Sequence, residues 1–189
     1  MADSKENRRD GTSVKLFFAV LGAIVAYQLN GWMSGEPEWS THRDERGGFV
    51  VDVAGSVDQR VLRERLAFGE VEFQFLMFAR GDVQYAVAYG DVPSAVTADS
   101  ALKTAATALA EKVQGTVLSQ RADTSASLAA QRVHVRAADE SELQMLCLWR
   151  EGRLYRLMAG GETNVEQNRA DIERFFASFR PVALVGEQP

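Results

Sequence analysis

From residue 49 onward, apolar and polar positions alternate with a period of two, the mark of strands with one face buried. Phe49, Val51 and Val53 alternate around Val50 and Asp52. Residues 61–68 and 71–78 read as a hairpin turning at Gly69-Glu70, with Val71, Phe73, Phe75 and Met77 on one face. A turn at Arg80-Gly81-Asp82 leads into residues 83–89, where Tyr85, Val87 and Tyr89 share a face. The period then changes. Leu102, Ala105, Ala106, Leu109 and Val113 fall at i, i+3, i+4, i+7 and i+11, which predicts a helix capped by Thr97 or Asp99 and closed by Gly115.

Strand spacing returns over residues 116–122 and 130–137, separated by the small polar run 123–127. Residues 143–150 and 153–160 form the clearest hairpin, with Glu151-Gly152 as its turn. A last helix is predicted from a capping box, Thr163 with Glu166, and from the stripe Val165, Ile172, Phe175, Phe176 and Phe179, with Pro181 stopping it. Leu143, Met145, Cys147 and Trp149 lie on one face of their strand and Leu146 and Leu148 on the other, so that strand is covered on both sides. The fold class is α+β. An antiparallel sheet carries the two helices, and the first strand or a loop, packed over its faces.

Leu16 and Met33 bound an uncharged run, residues 16–33, which as a helix spans about 27 Å, enough to cross a bilayer. Gln28 and Asn30 weaken its second half, while Tyr27 and Trp32 suit a membrane interface. A cleaved signal peptide and a buried core helix are the alternatives. No small-residue pair at cleavage spacing follows the apolar stretch, and the polar leader 1–13 feeds straight into it, so the run reads as a transmembrane anchor. Lys5, Arg8, Arg9 and Lys15 precede it, whereas Arg43 and Arg46 are the nearest basic residues after it, which keeps the N-terminus cytoplasmic and sends the body across. The organisation is then a leader 1–13, an anchor or signal segment 14–33, a linker 34–38, a sandwich domain 39–182 and a tail 183–189.

Apolar residues make up 46% and charged residues 25% of the 189, the mix of a folding globular chain. From Ser34 onward 17 Lys and Arg stand against 23 Asp and Glu, a net of −6, which argues against nucleic acid as a partner. The lone Cys147 sits in an apolar run and reads as a buried thiol.

Candidate chemistry is sparse. His42 and His134 have no partner at metal-ligand spacing. Arg132, His134 and Arg136 alternate along one strand face and form a weak anion-site candidate, against the plainer reading of a solvated sheet edge. Asp139, Glu140 and Glu142 read as a polar hairpin loop, because no turn glycine or ligand spacing of a calcium loop accompanies them. Gly160-Gly161 reads as a turn pair before the last helix, with an anion-binding helix start as the sharper alternative. Neither a nucleophile elbow nor a P-loop or dinucleotide fingerprint occurs, and no cofactor is implied.

Four strings in order of appearance resemble the PsbP-like α/β/α sandwich superfamily, especially its small bacterial members behind a signal or anchor segment. They are Gly48-Phe49-Val50-Val51-Asp52-Val53, Tyr85-Ala86-Val87-Ala88-Tyr89, Gly152-Arg153-Leu154-Tyr155-Arg156-Leu157 and Arg174-Phe175-Phe176-Ala177-Ser178-Phe179. The resemblance covers about residues 39–181, with Ala54-Gly55 where many members have Pro-Gly. It implies the sandwich fold and little about task. Members include a lumenal subunit of the photosynthetic oxygen-evolving complex, a Ran-binding import factor and many bacterial envelope proteins, so no functional residue is carried over.

The expectation is a membrane-tethered, non-catalytic envelope module that binds a protein partner or small ligand. An envelope hydrolase whose site assembles only in the fold, and a structural subunit of a membrane complex, are the rivals. Fractionation checks the tether: the full-length chain should stay with membranes through an alkaline carbonate wash, and protease outside intact cells should digest the domain. A product that washes off with its first thirty residues intact, or is cut only after lysis, contradicts it.

Overall fold

The computed structural model describes residues 36–123, 128–161 and 167–182. Ten strands and two helices follow one another as β1 (Trp39–Asp44), β2 (Phe49–Ala54), β3 (Asp58–Leu66), β4 (Gly69–Arg80), β5 (Val83–Asp91), α1 (Ala98–Lys112), β6 (Thr116–Ala122), β7 (Ala129–Arg136), β8 (Glu142–Arg150), β9 (Arg153–Gly161), α2 (Arg169–Ser178) and β10 (Arg180–Pro181). Seven strands form one antiparallel sheet in the order β3-β4-β5-β9-β8-β7-β6, and β1-β2-β10 form a small second sheet.

The period-two pattern sorts the large sheet's side chains onto two faces. On one, Phe73, Phe75, Met77, Leu143, Met145 and Met158 pack beneath Leu102 and Leu109 of α1. On the other, Leu76, Phe78, Tyr85, Leu146 and Leu157 meet Phe49 and Val51 of β2 and Ile172, Phe175 and Phe176 of α2. The second core is built on aromatic contacts. Phe78 and Tyr85 stack with centroids 4.9 Å apart, and Phe175 meets both edge-on at 5.6 and 5.2 Å. The α+β expectation holds, with helices on both faces.

Helix α1 starts where the spacing places it: the Thr97 side chain accepts from the Ser100 backbone N–H. Its end has a different cause from the one expected, since Gln114 takes the left-handed turn (φ 49°) and Gly115 is required by close approach. A Cβ at Gly115 would lie 2.4 Å from the Arg136 carbonyl oxygen.

The structure corrects several boundaries. The first long hairpin turns at Ala67-Phe68, because Leu66 pairs with Gly69, and Gly69 at φ +132° takes a conformation that side chains resist. Strand β1 gave no apolar period because it is an edge strand with no fully buried position. After Ser178 the chain extends, and Arg180-Pro181 pairs with Val50 and Phe49, so Pro181 ends the helix by joining a sheet. The described part of α2 starts at Arg169, with Asn168 at its cap position making no side-chain cap bond. Thr163, Val165 and Glu166, the anchor, most of the run 123–127 and the tail lie outside the described residues. Among the described residues no helix is long and apolar enough to cross a membrane.

Phe175 is fully buried at the centre of the second core. Phe175→Ala should cost about 3–5 kcal/mol in chemical denaturation, whereas Leu118→Ala, at an exposed position, should stay within about 0.5 kcal/mol.

Candidate functional site

Arg132, His134 and Arg136 do share a face of β7, the face toward α2, since Val133 and Val135 between them enter the α1-side core. Each already faces a carboxylate. Arg132 Nε donates to Asp123 at 3.1 Å, its Nη1 donates to Glu173 of α2, and its guanidinium lies over the Phe176 ring at 5.1 Å. Glu142 of β8 bridges the other two, with Oε2 3.0 Å from His134 Nε2 and Oε1 accepting from Arg136 Nη2 at 3.1 Å. Glu140 adds a contact to Arg136 at 3.8 Å. An incoming anion would compete with four carboxylates for two permanent cations. The row's visible work is to tie β6, β7, β8 and α2 together.

The other candidates resolve simply. Asp139 accepts from the backbone and hydroxyl of Ser141, so Asp139 and Glu140 lie in the β7–β8 turn, while Glu142 opens β8. Gly160-Gly161 is no turn: both belong to β9 and pair with β5 and β8, so no helix start lies there. Among the described residues no group of three or more His, Cys, Asp or Glu is placed to hold a metal ion. Cys147 is fully buried, and burial pushes its thiol pKa up to about 12 against the opposing pull of Arg156, which makes it inert.

Two features escaped the sequence reading. The first is a charged cluster inside the α1-side core. Arg156 lies between Leu154 and Met158 on the inward face of β9, the middle strand of the sheet, and is 5% exposed. Its Nη1 donates to Glu64 Oε2 at 3.0 Å, and its guanidinium lies 3.9 Å from the centre of the Phe73 ring. Glu64 occupies a core-facing position of β3 between Leu62 and Leu66, and its other oxygen meets Lys112 Nζ at 3.2 Å. Burial alone would raise the Glu64 pKa; Arg156, then Lys112, outweigh it and hold the carboxyl below the usual range. The legible signal was a charge in phase with an apolar row, at both Arg156 and Glu64.

The second feature is the sheet's far edge. All seven residues of β6 are exposed, including Val117 and Leu118.

Glu64→Gln should therefore leave Arg156 as a buried cation without its counter-charge and cost about 3 kcal/mol or more at neutral pH in denaturant titrations. Because the folded-state pKa is depressed, the wild-type contribution is complete above the ordinary Glu value and is lost as pH falls through the lowered one. Acid titration of the variant should lack that component.

No family model and no curated protein matches the chain. In structure it is similar to cyanobacterial PsbP (CyanoP) from Synechocystis sp. PCC 6803, with a TM-score of 0.54 at 11% identity over 80% of this chain and 96% of that one. It is also similar to PA94 from Pseudomonas aeruginosa, a protein of unknown function, at 11% identity over 77% and 99% of the two chains. The TM-score there, 0.43, is too low to carry an argument. At such identity the likeness concerns fold alone. Superposition on nearly the whole of CyanoP, with an antiparallel sheet covered on both faces here, makes this a PsbP-like fold.

Proposed function

We propose that the protein is a membrane-tethered, non-catalytic module of the cell envelope that takes an extended segment of a partner protein as an added strand along β6. The observation that supports this reading is the contrast between the two edges of the large sheet. Edge strand β3 carries Asp58, Arg60, Arg63, Glu64 and Arg65, the charged dressing that discourages pairing. Edge strand β6, Thr-Val-Leu-Ser-Gln-Arg-Ala, has one charge in seven residues and apolar side chains at 117 and 118. An unpaired edge of about 23 Å offers backbone hydrogen bonds for affinity and alternate side chains for selection.

Tethering favours a different protein over a second copy. The Trp39 ring packs edge-on against Phe78 and Tyr85, at the end of the large sheet where β6 also begins. With the strands standing upright on the membrane, two-fold pairing of identical edges, which is antiparallel, would hold one copy's Trp39 about a strand length, roughly 23 Å, farther from the membrane. A five-residue linker over 34–38 reaches only about 17 Å.

Photo-crosslinking in native membranes tests this. A photoreactive residue at 118 or 120 of the full-length chain should attach to neighbouring positions of one partner segment, in the order a paired strand requires. The same residue at Val61 should give no such adduct. Leu118→Lys should abolish the adduct without lowering the melting temperature. Equal labelling from Val61, scattered attachment sites, or adducts between two copies of this chain would overturn the proposal.

A further inference from the structure

Nε and Nη2 of Arg156 are buried and have no hydrogen-bond partner, although Nη1 of the same guanidinium is satisfied by Glu64. These two nitrogens are not an arbitrary pair. Their N–H bonds run parallel along one edge of the planar group, the fork that a carboxylate accepts with both oxygens. Leaving such donors unpaired in a protein interior is costly, and more so when they belong to a charged group.

Among the described residues no neighbouring group relieves them. The residues beside Arg156 in the adjoining strands are Ala88 and Cys147, one without a polar side-chain atom and the other a neutral thiol, a weak acceptor at best. Phe73 and Phe75 lie against the guanidinium, at 3.9 and 5.8 Å, and occupy it through their rings. The site is roofed by α1, whose buried face is Ala101, Leu102, Ala105, Ala106 and Leu109, short side chains for the most part. Glu64 and Lys112 mark where this interior reaches the surface, since Lys112 is 40% exposed and Glu64 10%.

We infer that the Nε–Nη2 edge of Arg156 is the anchor of a binding site for a small carboxylic acid with an apolar tail, lodged between α1 and the sheet. The chemistry follows from the two halves of the site. The fork selects a planar anion with two acceptor oxygens. The surrounding Phe, Ala, Leu and Met side chains select an apolar remainder over a polar one. The inference is independent of strand addition at β6, which uses the opposite edge of the sheet, and either can fail alone.

Titrating the full-length chain in a zwitterionic detergent with sodium hexanoate, and following the Arg156 Nε–H resonance by NMR, tests it without any variant. The expected result is a saturable one-to-one shift, at least tenfold weaker for hexanol, which has the tail without the anion, and for inorganic phosphate, which has the anion without the tail. Arg156→Met should remove saturable hexanoate binding. If that variant does not fold, the wild-type comparison of the three probes still decides. An unmoved Nε–H resonance that keeps its cross-peak to water, or equal responses to hexanoate and hexanol, would overturn the proposal. So would phosphate binding as well as hexanoate.

Discussion

A sheet whose inner strands carry apolar side chains on both faces has to be covered twice. Strands β4, β8 and β9 each send large side chains into both cores, from Phe73 and Phe78 on β4 to Tyr155 and Met158 on β9, and β5 adds Ala86 and Ala88 to one and Tyr85 and Tyr89 to the other. Burying one such side chain contributes about 1.5–3 kcal/mol, while a whole domain is stable by only about 5–15 kcal/mol. Uncovering either face would remove more than the fold has to lose. The chain meets this demand with three segments that leave the run of hairpins: β1-β2 before it, α1 between β5 and β6, and α2 with β10 after it. Arg174 and Ser178 of α2 bond to the side chain and backbone of Asp52 in β2, which joins the pieces of the second cover to each other.

The two edges of the sheet are finished differently. At the β3 side the boundary is dressed with ion pairs, Arg60 to Asp58 and Arg63 to Glu72, each weak at an exposed position but collectively hostile to a passing strand. At the β6 side it is not. There the register also shifts between Val117 and Ser119, and such a bulge increases local twist. The β6 edge is thus exposed along its whole length, and its composition sets whether that exposure is used.

What could be read in advance follows from which positions are half-buried. Strands β4, β5, β8 and β9 and helix α1 declared themselves through period alone, because each has a wet or differently packed face to contrast with its core face. Strand β1 did not, since its six residues, none of them fully buried, offer no apolar side chain beyond Trp39. Gly160-Gly161 misled because glycine usually marks a turn, whereas Gly161 is there for contact: a Cβ would come within 2.4 Å of the Asp82 carbonyl oxygen. The row Arg132, His134 and Arg136 was legible as a row, but its carboxylate partners come from β6, β8 and α2, and sequence spacing holds no record of that convergence. Arg156 and Glu64 lie 92 positions apart, and only their phase with apolar neighbours hinted at burial.

That buried pair is better explained by register than by stability. Apolar residues of similar size at 64 and 156 would serve the core as well or better, because desolvating two charges offsets most of their attraction. Strand β3, however, is otherwise poorly specified: it sits on the edge, and its inward residues besides Glu64 are only Leu62 and Leu66. A slip of one residue exchanges the faces of a strand. Here it would bring Arg63 or Arg65 into the place of Glu64, opposite the buried guanidinium of Arg156. Two cations in a dry interior repel strongly, so the slipped pairing is penalised by charge where apolar patterning alone would penalise it weakly. The same constraint fixes the position of Glu64 beside α1 and leaves the other edge of the Arg156 fork directed away from it.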